Sequence, residues 1–247
     1  MIVTMPFRNS DPSRLSSAKI VIPKLQQLGF QIFLVEQSTT PTPNSTLPWD
    51  HKIIVEDDGP INRPKLLNTV FHHFPSEDHY AFCETDMLIE PSEWQKAIEA
   101  SLTHDVVSPY HSYAVATEEG TAAYYQSGNQ EDLAPGSHLI RHGGTLCGGA
   151  VIFSWKAFIA SGGWDEDVKC LGGDDFIQTQ KVYKLGLSYH EVYSTAYHLW
   201  HKPWSPSERD QSAENHNYTA EWMNLSTKQI RARIARRNFA SIQEKKQ

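Results

Sequence analysis

HYAFCETDMLI, residues 79–89, sets an apolar run, Tyr80 to Cys83, directly against three polar residues, Glu84, Thr85 and Asp86. The apolar run predicts a strand, and its abrupt end predicts that two carboxylates leave the sheet together. In open α/β sheets, ligands collect beyond the carboxyl ends of the strands. The stretch therefore predicts a fold class and the place on that fold where chemistry would sit.

Its neighbours repeat the pattern. IVTM at the start reads as a short buried strand ending at Pro6, and residues 13–29 follow with helical spacing, with a kink or late start expected at Pro23. QIFLVE, residues 31–36, and KIIVE, residues 52–56, read as strands around the loop STTPTPNSTLP. Leu66, Leu67, Val70, Phe71 and Phe74 are spaced for a helix over 61–74, and Pro91 opens another before a strand near Val106. GGAVIFSWKAFIASGGW gives a strand and a short helix, DDFIQTQKVYKLG a helix, and residues 189–192 a strand. Alternating strands and helices predict a sheet with crossover connections. Residues 112–144 show little apolar periodicity and read either as short strands or, by preference, as a long loop or lid.

Composition narrows the function. The chain has 247 residues, 39% apolar and 21% charged, which suits one globular domain over 1–225 and a basic helix or tail over 226–247. The net charge of −7 argues against a nucleic-acid surface. Residues 228–247 hold seven Lys or Arg and one Glu, a local +6 on a body of −13. That tail reads either as a solvated helix or, through Lys228, Arg231, Arg233, Arg236 and Arg237, as a contact for anionic lipid. Three cysteines without CxxC spacing, no signal-like start and no run of 18 apolar residues predict a cytoplasmic protein, at most peripheral to the inner membrane.

Four polar segments fall at strand ends. Pro6-Phe7-Arg8-Asn9 reads as a plain turn or as a ligand contact. Asp86 is placed to bind a hard divalent cation, with Glu84 acting through water, unless the pair is only an acidic turn. In LGGDDF, glycines permit close approach and Asp174 and Asp175 open a helix, where a carboxylate is either an N-cap or a base ready to accept a proton. His198 and His201, three apart in AYHLWHKPW, can meet at one metal or can pack apart.

Taken in order, these segments resemble the GT-A glycosyltransferases, in the branch of the β-1,4-galactosyltransferases and related polypeptide N-acetylgalactosaminyltransferase domains. MPFRNSDPSRL resembles the PFRNR-type opening, INRPKLLNTVF the FNRAKLLN-type helix, and FCETDMLIEP the DxD strand end. CGGAVIFSWKAFIASGGWDE with LGGDDF resembles the region ending in GGED, and AYHLWH the late metal-binding segment. The matches run from about residue 3 to 201.

The resemblance implies a Rossmann-like mixed sheet flanked by helices. It also implies sugar transfer from a nucleotide-diphosphate donor, UDP-linked by preference, to a hydroxyl of a glycan, lipid-linked or other acceptor, with Mn²⁺ or Mg²⁺. By the same resemblance, Asp86, His198 and His201 would hold the metal and Asp175 would be the base, with Asp174 binding acceptor. Pro6, Phe7, Arg8 and Arg63 would lie about the nucleotide. From the residues themselves, Glu84 and Thr85 are placed beside the donor, and Gly148 and Gly149 would allow backbone approach to donor or acceptor. Trp155, Trp164 and Trp200 either pack in the core or stack on sugar, with Trp164 the preferred acceptor contact. Three departures stand out: Glu84 replaces the first Asp of DxD, Leu171 replaces a tryptophan before GGED, and the secreted enzymes' cysteine pattern is absent. An inverting displacement is expected; a retaining transferase or an inactive carbohydrate-binding relative are the alternatives.

Overall fold

The computed structural model describes residues 1–75, 77–141, 145–146, 148–170, 172–203 and 206–236, with side chains at 206–213 left undescribed. Cys147, Leu171, Arg237 and the rest of the tail lie outside the described residues. So do residues 142–144, the end of the expected lid.

The main sheet has seven strands: β1 (Ile2–Phe7), β2 (Gln31–Gln37), β3 (His51–Val55), β4 (His79–Cys83), β6 (Val106–Ser108), β9 (Ala150–Ser154) and β10 (Tyr189–Glu191). Their order is β10-β6-β9-β4-β1-β2-β3, and only β9 runs antiparallel to its neighbours. The inner strands are buried on both faces because helices cover both, while the edge strands β3 and β10 are partly exposed. On one face lie α1 (Pro12–Gln27) and α3 (Pro91–Ser101), with Val21, Ile22, Leu25 and Trp94 in the core. On the other lie α2 (Arg63–His73), α5 (Trp155–Ala160) and α6 (Asp174–Leu185), around Phe71, Phe82 and Phe158. Phe158 stacks on Phe71 at 4.3 Å and on Phe82 at 5.3 Å between centroids. Such aromatic pairs contribute about 0.5–1.5 kcal/mol each beyond their burial. This is the α/β mixed sheet flanked by helices that the sequence predicts. Pro23 sits within α1 without ending it.

A second sheet corrects the expected loop over 112–144. It contains β7 (Ser112–Val115) and β8 (His138–Arg141), joined through α4 (Glu118–Ser127), and β5 (Met87–Leu88) with β11 (Thr195–His198). Strands of two to four residues leave no periodicity to read, and α4 buries only Gly120, Thr121 and Tyr124. Thr117 caps α4 by accepting from the Gly120 N–H, and Gly128 ends it at φ +70°.

After α7 (Pro206–Asn224), α8 (Thr227–Arg236) packs back on the body. Ile230 is fully buried, and Gly162 leaves room for Ile234. Arg233 lies over the Trp222 ring at 5.2 Å, while Lys228, Arg231 and Arg236 face outward. Among the described residues, no helix is long and apolar enough to cross a membrane.

Candidate functional site

Asp86, His198 and His201 meet because the small sheet ties their segments together. His198 ends β11 and pairs with Met87 of β5, antiparallel, while the Leu199 N–H donates to the Asp86 carbonyl at 2.8 Å. Asp86 Oδ1 then lies 3.7 Å from His198 Nε2, and Asp86 Oδ2 lies 3.6 Å from His201 Nε2. The three donor atoms fall within 4.8 Å of one another.

The chemistry of this set fits a divalent cation. Asp86 is 2% exposed, yet its Oδ1 and the His198 Nδ1 are buried without a hydrogen-bond partner. Orphaned buried polar atoms are costly unless a ligand satisfies them. Burial holds His198 below the ordinary imidazole value, which favours the neutral form that can coordinate a metal. Burial alone would raise Asp86, but His198, His201 and Arg14 together hold it below the usual carboxylate value. His201 Nδ1 lies 2.9 Å from the Lys202 carbonyl. Donation there leaves the Nε2 lone pair facing Asp86, the arrangement a metal-binding imidazole takes.

Across the cleft, Arg63 gathers the remaining acids. It starts α2, where Asn62 caps the helix by accepting from the Lys65 N–H at 3.0 Å. Its guanidinium pairs with Glu84 and Asp174, donates to the Gly148 carbonyl, and lies 3.4 Å from Asp175. Asp174 and Asp175 sit in the first turn of α6, whose N-cap, Gly173, has φ +99°. There a Cβ would meet Thr219 Oγ1 at 2.5 Å, so both the turn and the packing require glycine. Burial, then the Asp174 charge, push Asp175 up to about 8, against the opposing pull of Arg63. Glu84 is also raised, chiefly by burial.

The cleft holding these groups has a volume of about 250 Å³ and lies at the carboxyl ends of β1 and β4. Pro6, Phe7, Arg8, Arg63, Glu84, Thr85, Asp86, Gly148, Gly149, Asp174, Asp175, His198 and His201, all expected from the sequence, line it together. Arg8 is anchored by donating to the carbonyls of Gly59 at 2.5 Å and Asp58 at 3.0 Å.

Trp164 is a correction. It is 0% exposed, set edge-on to Phe82 and Phe153 with Arg63 over its ring at 5.1 Å. A ring so enclosed supports Arg63 from below and cannot stack on a sugar. Gly148 and Gly149 also have a packing role that the sequence did not suggest. A Cβ on Gly148 would collide with the Asp175 carboxylate, and one on Gly149 would meet Tyr110 Oη at 2.5 Å. The glycines make room for the site's own side chains. Gly148→Ala is thus expected to displace the Asp175 carboxylate and destabilise the fold by about 1–3 kcal/mol, the usual cost of overpacking. A melting curve checks this.

Arg14, Tyr110 and Tyr113 also line the cleft and were not singled out from sequence. The one signal for Arg14 is its place in the first turn of α1, three residues after the capping Asp11.

No protein-family model matches the sequence, and no curated protein matches it. Solved structures do match in shape. Glucosyl-3-phosphoglycerate synthase from Mycobacterium tuberculosis, in complex with Mn²⁺, uridine diphosphate and phosphoglyceric acid, is 13% identical, with 91% of this chain and 78% of that one covered and a TM-score of 0.56. The catalytic domain of Drosophila beta1,4-galactosyltransferase 7, in complex with xylobiose, is 14% identical over 86% of this chain and 79% of that one, with a TM-score of 0.49. CMP:2-keto-3-deoxy-manno-octonic acid synthetase complexed with CTP is 10% identical over 87% and 98%, with a TM-score of 0.48. The likeness to the synthase, at a TM-score of 0.56, gives the chain the GT-A fold and singles out no branch within it.

Proposed function

We propose that this protein is a metal-dependent glycosyltransferase that moves a hexose or N-acetylhexosamine, with inversion, from a nucleotide-diphosphate sugar to an acceptor hydroxyl. One observation carries the reading: a single cleft at the strand ends joins a three-donor metal cluster to a carboxylate with raised basicity. Asp86, His198 and His201 would hold Mn²⁺ or Mg²⁺, which when bound offsets the charge of a departing nucleoside diphosphate. The likeness to a synthase holding Mn²⁺ and uridine diphosphate makes these the first probes. Arg8, Pro6 and Phe7, at the end of β1, would bind the nucleotide.

Asp175 would accept the proton of the acceptor hydroxyl as its oxygen attacks the anomeric carbon. A base with a raised pKa is a stronger acceptor, and only its ionised form works. Arg63 orients this wall by holding Asp174 and Glu84 while touching Asp175. Asp174 would then bind the acceptor beside the base.

The pH dependence follows. With Asp175 at about 8, the logarithm of kcat/KM is expected to climb with unit slope from pH 6 and level off above pH 8. The stability contribution runs the other way. A carboxyl raised above its ordinary 3.8 stabilises the fold fully below that value and loses the contribution as pH rises through about 8. Melting temperature should fall across that window in wild type and less so in Asp175→Asn. The anomeric configuration of the first-formed product, read by NMR, tests the mechanism. Inversion is expected; a retained configuration would assign the protein to the retaining transferases and remove Asp175 as base.

A further inference from the structure

The Arg14 guanidinium already occupies one flank of the cluster. Its Nη1 lies 3.6 Å from Asp86 Oδ2, and its Nη2 lies 3.3 Å from His201 Nδ1. Asp86 Oδ2 therefore faces two groups, Arg14 and His201 Nε2, while Oδ1 faces only His198. On the far side, Arg14 Nε lies 3.8 Å from Asp11 Oδ2. Asp11 is itself fixed, because its Oδ1 accepts from the Ser13 N–H at 2.8 Å to cap α1.

Two features of this placement conflict with a passive structural role. A fixed positive charge beside a buried carboxylate repels any second cation that the carboxylate attracts. And His201 Nδ1 cannot both accept from Arg14 and donate to the Lys202 carbonyl. The Arg14 contact requires the proton on Nε2, the atom facing Asp86. The Lys202 contact frees that same atom for a metal. The two arrangements are mutually exclusive.

We propose that Arg14 is a built-in cation that competes with the divalent metal for Asp86 and His201 and is released to the donor's diphosphate when the metal binds. The inference rests on the reading of the cleft as a nucleotide-sugar site. Arg14 lines that cleft and its side chain is 16% exposed, so a ligand can reach it. A guanidinium matches phosphate oxygens through two parallel hydrogen bonds, a geometry a lone ammonium lacks. Metal and diphosphate would then each favour the arrangement that the other needs, which makes their coupling reciprocal.

The test is Mn²⁺ binding to the protein alone, followed by the free-ion paramagnetic resonance signal, in wild type, Arg14→Met and Arg14→Lys. Arg14→Met should bind Mn²⁺ about 10-fold more tightly than wild type, within the usual range of site-to-site coupling. Arg14→Lys should fall between them. At saturating Mn²⁺, uridine diphosphate should bind Arg14→Met about 10-fold more weakly than wild type. Effects of opposite sign on the two ligands are not the result of a general loss of structure. A melting curve verifies folding, and Arg14→Gln carries the same test should Arg14→Met not fold. Equal or weaker Mn²⁺ binding in Arg14→Met, or unchanged affinity for uridine diphosphate, overturns the proposal. If Asp86→Asn abolishes Mn²⁺ binding while Arg14→Met leaves it unchanged, the metal site stands and this inference falls. If no protein in the series binds Mn²⁺, both fall.

Discussion

Asp175→Asn is expected to lower turnover by about 10²–10⁴-fold, the usual contribution of a positioned general base. The amide keeps the size and the place in the first turn of α6, so the cleft is preserved. What it loses is the basicity needed to take up the acceptor's proton, because an amide oxygen still accepts a hydrogen bond but is a far weaker base than a carboxylate. Donor and Mn²⁺ affinity should therefore stay within about twofold of wild type, since neither contact involves this side chain in a charged role. The variant should also lose the rise of kcat/KM toward pH 8 described above. Asp174→Asn is the informative control. Asp174 pairs directly with Arg63, so its loss should raise the acceptor KM more than it lowers kcat. An Asp175→Asn enzyme with near wild-type turnover would move the base elsewhere or point to a reaction that needs none.

Asp86→Ala is expected to abolish metal binding. Removing the carboxylate leaves two imidazoles and the Arg14 guanidinium, a set with no negative charge to offset a divalent cation. The loss should exceed the roughly 10–100-fold in affinity that outer partners of a metal site cost. His201→Ala should approach it, because His201 contributes a directed lone pair, and titration calorimetry with Mn²⁺ ranks the three ligands directly. The fold should survive, because among the described residues the ion pairs of the Asp86 side chain are with Arg14 and the two histidines of the cleft. Undiminished Mn²⁺ binding by Asp86→Ala would place the metal outside this cluster.

Much of the scaffold could be read from residues alone, for physical reasons that also mark the limit. Tyr80 to Cys83 form a strand buried on both faces, and such strands announce themselves as continuous apolar runs. Asp174 and Asp175 follow two glycines, which permit a tight turn and close approach, so their place at a helix start was legible. The second sheet was not. Its strands are too short for a period, and they are held by pairing with distant segments, as Thr195 to His198 pair with Ser112 to Val115. That sheet carries His198 to Asp86, so the histidines had a reason to meet that the sequence alone could not supply. Trp164 misled because a tryptophan after two glycines looks the same whether it faces a cleft or Phe82 and Phe153. Arg14 was missed because its role depends on α1 meeting the segment after β11, a contact 187 residues apart.

The most direct measurement is nucleoside diphosphate release from a panel of nucleotide sugars, with Mn²⁺ and with chelator, by wild type and Asp86→Ala. At least one donor is expected to be turned over by wild type with Mn²⁺, with release lost on chelation and lost in the variant. A panel in which no donor is hydrolysed, transferred or bound, judged also by thermal shift, would contradict the assignment of this cleft to nucleotide-sugar transfer.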